Sequence, residues 1–107
     1  MHDEADQAVT TFKDKFAAAY GGGVQGMSAI PFDVILAALM SLLEGCLPQQ
    51  VKAQSKRPIV QARMRLRLLA QGVRVRDLSR TVAAVTAAVD ASTDEEVVGY
   101  CAAAQGD

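Results

Sequence analysis

The chain has 107 residues, 50% of them hydrophobic and 21% charged, a size that fits one domain with a buried core and leaves little room for a second. Eleven Lys and Arg against 12 Asp and Glu leave a net charge of −1, which argues against a uniformly basic nucleic-acid coat or an acidic disordered tail. Outside the glycine-rich segment no uncharged stretch is longer than residues 34–43, about half of what a membrane-spanning helix requires, and the acidic start at Asp3, Glu4 and Asp6 is unlike a secretory signal. A cytoplasmic protein that does not enter a membrane is expected.

Residues 3–20 place Ala5, Val9, Phe12, Phe16 and Tyr20 three to four apart, on one stripe of a helix. Gly21, Gly22 and Gly23 then stop it, because glycine readily takes the left-handed conformation that closes a helix. The reading is an N-terminal helical arm over 1–20 and a flexible linker over 21–29. Residues 30–107 then form the helical core of a single domain.

Pro31 sets its own backbone angle near the helical value and lacks a donor that a first turn leaves unpaired, so a helix is expected from there to about Gly45. Its apolar positions, among them Phe32, Ile35, Leu39, Leu42 and Cys46, cover about half of a helical wheel, which marks a central core helix. Ala37, Ser41 and Gly45 leave a groove of small side chains on the rest. Leu47 before Pro48 closes the helix, since the residue before proline is pushed out of helical angles.

From Ser55 the pattern restarts, with Pro58 near a helix start and Gly72 at its stop. Here there are two apolar stripes. One holds Ile59, Ala62, Leu66, Leu69, Ala70 and Val73; the other holds Val60, Met64 and Leu68, with Arg63 and Arg67 on one flank and Arg65 on the other. A helix with two apolar faces has two packing partners, so Val60, Met64 and Leu68 are assigned to an oligomer interface and the first stripe to the core. Residues 63–75 also alternate basic and apolar, as a hairpin turning at Gln71 and Gly72 would, but Leu, Arg, Met, Gln and Ala are strong helix formers and helix is preferred.

Val75, Leu78, Val82, Val85 and Val89 repeat by threes and fours as the seam of a bundle helix, flanked by small alanines. Ser92 and Thr93 ahead of Asp94, Glu95 and Glu96 supply a cap, a capping box and negative charge at the positive end of a helix dipole. That last helix runs to about Gln105 and buries Val97, Val98 and Cys101. The fold class is therefore all-α, a small bundle of four to five helices.

Charge is distributed unevenly. Residues 1–51 carry two basic and six acidic groups, for −4; residues 52–80 carry nine basic groups and Asp77, for +8; residues 81–107 carry five acidic groups, for −5. Lys52, Lys56, Arg57, Arg63, Arg65, Arg67, Arg74, Arg76 and Arg80 form either a basic footprint for nucleic-acid phosphates or the partners of the acidic ends, within the fold or across a subunit boundary. No aromatic residue between Phe32 and Tyr100 is interleaved for base stacking.

Motifs for chemistry are lacking. Leu68, Leu69, Ala70, Gln71, Gly72 and Val73, followed by Val75 to Arg80, resemble the entry to a helix-turn-helix unit, but the apolar seam then continues to Val89 where a short recognition helix is required. Gly21, Gly23 and Gly26 satisfy the letter of a dinucleotide-binding loop, yet that loop needs a strand before it and a helix start after it, and a helix precedes these glycines. Cys46, Cys101 and the single His2 cannot assemble a metal site, and both cysteines are read as buried free thiols, with a disulfide as the alternative. Asp33 and Glu44 share a helix face about 16 Å apart, too far to act as a carboxylate pair. No catalytic set, cofactor or small-molecule substrate is indicated. The apolar surplus points to a non-catalytic interaction or scaffold protein that self-associates, most simply as a two-fold dimer, and the alternative is a nucleic-acid-binding protein using residues 52–80.

Overall fold

In the computed structural model, residues 3–21, 30–43 and 47–105 are described, and among them the fold is six α-helices with no strand. The helices are α1 (Asp3–Tyr20), α2 (Phe32–Leu42), α3 (Pro48–Ser55), α4 (Pro58–Ala70), α5 (Val75–Asp90) and α6 (Asp94–Gln105). Residues 63–75 are helix and turn, so the hairpin alternative is excluded.

Aromatic burial places α1 inside the bundle. Phe12 and Phe16 are fully buried and Tyr20 nearly so, and α1 packs along α5 and α6. The Phe12 ring lies 6.1 Å from Phe16, 6.3 Å from Phe32 on α2 and 5.7 Å, edge-on, from Tyr100 on α6. The expected N-terminal arm is thus corrected to a core helix: three aromatic groups on one stripe carry a large apolar surface, and leaving them in water would cost several kcal/mol. Gly21 closes the helix at φ +89°, its N–H donating to the Ala17 carbonyl at 3.2 Å. The rest of the expected linker, 22–29, lies outside the described residues.

Val34, Ile35, Ala38, Leu39 and Leu42 of α2 are buried, as a central helix requires. Pro31 has φ −58° but ψ 134°, so the helix begins one residue after it. Helical residues end at Leu42; the expected end near Gly45 and the position of Cys46 fall outside the described residues.

The sequence reading contains no counterpart of α3. Pro48 opens this helix from its first turn, where a missing N–H costs nothing, rather than only closing the one before. Only Val51 and Ser55 of its eight residues are buried, too few for a visible apolar period.

A Schellman motif ends α4: Val73 N–H donates to the Leu68 carbonyl at 3.0 Å and Gly72 N–H to the Leu69 carbonyl at 3.0 Å, with Gly72 at φ +94°. The apolar contact typical of that motif follows, since Leu68 and Val73 are both buried. In α5, Leu78, Val82, Val85 and Val89 form the buried seam, but Val75 is 73% exposed, because at the helix's first position it projects beyond the neighbouring helices. In α6, Val97, Tyr100 and Cys101 are buried while Val98 is 52% exposed, one position off the inward stripe.

The capping box at the start of α6 is formed. Thr93 Oγ1 accepts from Glu96 N–H at 3.0 Å, and Glu96 Oε1 accepts from Thr93 N–H at 2.8 Å. Ser92, the other cap candidate, is buried instead; it donates to the Ala88 carbonyl at 2.7 Å and shares a 2.8 Å hydrogen bond with the Tyr100 hydroxyl. Cys101 is disulfide-bonded, which corrects the expectation of a free thiol there.

Candidate interaction surface

Met64 is 1% exposed and Leu68 is fully buried, and Val60 packs partly buried against the same core. These three residues therefore hold α4 to its own chain, and the oligomer face assigned to them is corrected. The opposite stripe faces water, with Ile59 53%, Leu66 66% and Leu69 44% exposed. Val73, beyond the helix end, is tied back to the Leu68 carbonyl by the reversal at Gly72 and is buried like Leu68, so it does not continue the exposed stripe of Leu66. An outward row of large apolar side chains on a helix whose other face is packed is the feature of this surface that solvation alone disfavours.

The nine basic residues divide into two groups. Three are engaged within the fold. Lys52 on α3 approaches Asp94 at 3.7 Å and Lys56 approaches Asp90 at 2.9 Å, which ties α3 to α5 and α6. Arg80 on α5 donates to the Tyr20 carbonyl from Nε at 2.9 Å and from Nη2 at 2.7 Å, and reaches the Gly21 carbonyl at 3.3 Å. The remaining six, Arg57, Arg63, Arg65, Arg67, Arg74 and Arg76, make no ion pair or side-chain hydrogen bond among the described residues, and all but the half-buried Arg65 are exposed.

Five of these six are divided among three clefts. Arg63 and Arg67, one turn apart, line a cleft of about 390 Å³ with Ser41 and Val60. Arg65 lies on the other flank of α4, beside Lys56, Gln61 and Asp90, at a cleft of about 360 Å³. Arg74 and Arg76, past the turn, line a third cleft of about 260 Å³ with Ile30 and Pro31. The exposed apolar row of α4 runs between the first two groups, so it is rimmed by arginine on both sides.

Three groups have shifts with a structural cause. The Lys56 hydrogen bond and charge hold the Asp90 carboxyl below its ordinary value. The Thr93 N–H, assisted by Lys15 with its ammonium 3.6 Å away, does the same for Glu96. Burial raises the Tyr100 hydroxyl, with the Ser92 hydrogen bond opposing it. No group of three or more His, Cys, Asp and Glu side chains is placed to hold a metal ion among the described residues, and no helix among them is long and apolar enough to cross a membrane.

Comparison of the chain with protein-family models, with curated proteins and with solved structures finds no match.

Proposed function

We propose that this chain is a non-catalytic helical interaction module that self-associates through the outer face of α4. The supporting observation is the row of Ile59, Leu66 and Leu69 on a helix already anchored by Met64 and Leu68. Such a row is usual where a second surface removes it from water, and each large apolar side chain fully covered contributes roughly 1.5–3 kcal/mol. The arginines at its rim would add orientation and partner choice more than affinity. Sedimentation of the purified protein over a range of concentrations tests this. Association weakened by Leu66→Gln supports it; a wild-type protein that remains monomeric throughout refutes it.

A second reading, polyanion binding, draws support from the six arginines without partners. Fluorescence anisotropy with duplex nucleic acid at low salt checks it, with Arg63, Arg65 and Arg67 changed to Ala as the loss-of-binding variant. Engagement of Lys52, Lys56 and Arg80 inside the fold, and the separation of five of the other six over three clefts, favour the first reading. The disulfide at Cys101 suits an oxidising compartment better than the expected cytoplasm, where thiols are kept reduced.

A further inference from the structure

Self-association through α4 leaves open which surface of the second copy receives it. A two-fold contact of α4 with α4 is electrostatically poor: Pro58–Ala70 contains three arginines and no acidic residue, so pairing it with itself brings like charges together across a desolvated seam. The receiving surface therefore has to combine exposed apolar area with carboxylates.

The outer side of α6 has that combination. Val98 is 52% exposed, and the neighbouring Glu95 and Ala102 are also exposed. Glu95 has no ion-pair or hydrogen-bond partner among the described residues, and no basic side chain of α6 competes for it, because Asp94–Gln105 contains none. Beside α6 packs α1, whose exposed Glu4, Asp6 and Asp14 are likewise without partners among the described residues. Four of the unpartnered acids, Glu4, Asp6, Asp14 and Glu95, thus lie on α1 and α6, with Asp33 on α2 and Asp77 on α5, and α1 also carries Lys13 and Lys15; the unpartnered arginines lie on α4, just before it at Arg57, and at Arg74 and Arg76 around the start of α5. The neighbours of α4 within the fold are α5, α2 and α3, so its basic row and the acidic side belong to separate surfaces of one molecule.

We infer that the α4 face of one copy docks on the α6 face of a second copy, with Leu66 and Leu69 against Val98 and the arginine rim against Glu95 and the α1 carboxylates. This rests on the self-association proposed above and specifies its geometry as a contact between two different surfaces. A contact of that kind predicts complementation, because a molecule damaged on one face keeps the other intact.

Sedimentation velocity of the full chain between about 1 and 100 µM reads the outcome. Leu66→Glu and Val98→Lys are each expected to weaken association at least about tenfold, and the equimolar mixture of the two to recover a heterologous pair. Both positions are solvent-exposed, so the variants should fold; circular dichroism melting checks this, and Arg67→Glu replaces Leu66→Glu if that variant does not. Val98→Lys associating as the wild type overturns the α6 contact and leaves self-association through α4 standing, as does failure of the mixture to recover. A wild type that stays monomeric at the highest concentration overturns both, whether or not it binds phosphatidylserine vesicles or duplex DNA.

Discussion

Arg80 and Tyr20 form one unit: the guanidinium carbon sits 4.0 Å from the centre of the Tyr20 ring while two of its nitrogens donate to the Tyr20 carbonyl. Sixty residues apart in sequence, they close the C-terminal end of α1 onto α5. The carbonyls there lack helical partners, and a cation beside them also opposes the negative end of the helix dipole.

Removing that contact should loosen α1. Arg80→Ala is expected to destabilise by about 1–2 kcal/mol, the lower part of the range for hydrogen bonds to charged groups because the side chain remains in touch with solvent. Arg80→Lys recovers only part, since an ammonium cannot fork across one carbonyl and stack on the ring together. Urea unfolding of the three proteins measures this, and equal stability of the Ala and wild-type proteins would remove the role assigned to the pair.

The two stripes of α4 make opposite predictions. Leu68→Ala empties a fully buried site and should cost about 2–5 kcal/mol, whereas Leu66→Ala, at an exposed site, should stay within about 0.5 kcal/mol of wild type in a dilute monomer. Denaturant midpoints at submicromolar concentration compare them, and the reverse order would mean that the other face points inward.

Loss of the α6 cap is expected to be modest and dependent on pH. Thr93→Ala should cost about 1 kcal/mol, the usual value for an N-cap hydroxyl. The Glu96 carboxyl is held below its ordinary 4.5, so its contribution is present above that value and disappears as the pH falls through the lower folded-state value. Stability curves of the wild type and Glu96→Ala should therefore differ near neutrality and converge in acid. Thermal melts across that range decide it.

Reduction should lower the melting temperature. A disulfide at Cys101 contributes typically about 2–4 kcal/mol, and each kcal/mol is about 4–8 °C in a domain near this size. Calorimetry with and without reductant is the measurement, with Cys101→Ala as the protein that reductant should leave unchanged.

Much of the helical framework was legible because its signals are local. Phe12, Phe16 and Tyr20 announce α1 by spacing alone, Thr93 and Glu96 announce their capping box by a separation of three, and Gly72 announces the end of α4. The helix α3 escaped because Val51 and Ser55 are all it buries. The candidate surface was legible as composition and misplaced in space: both apolar stripes of α4 were visible, and so were the nine cations.

What the linear chain determined, then, is where five of the six helices form, where α1 and α4 stop and that α4 carries more apolar surface than one face can hide, since these depend on residues three to five apart. Which stripe turns inward, whether α1 is arm or core, and which cations are already engaged were decided only in three dimensions. Each depends on residues distant along the chain, as when α2 packs against α4 or Arg80 reaches Tyr20. Periodicity measures the width of an apolar face but carries no information about what lies opposite it.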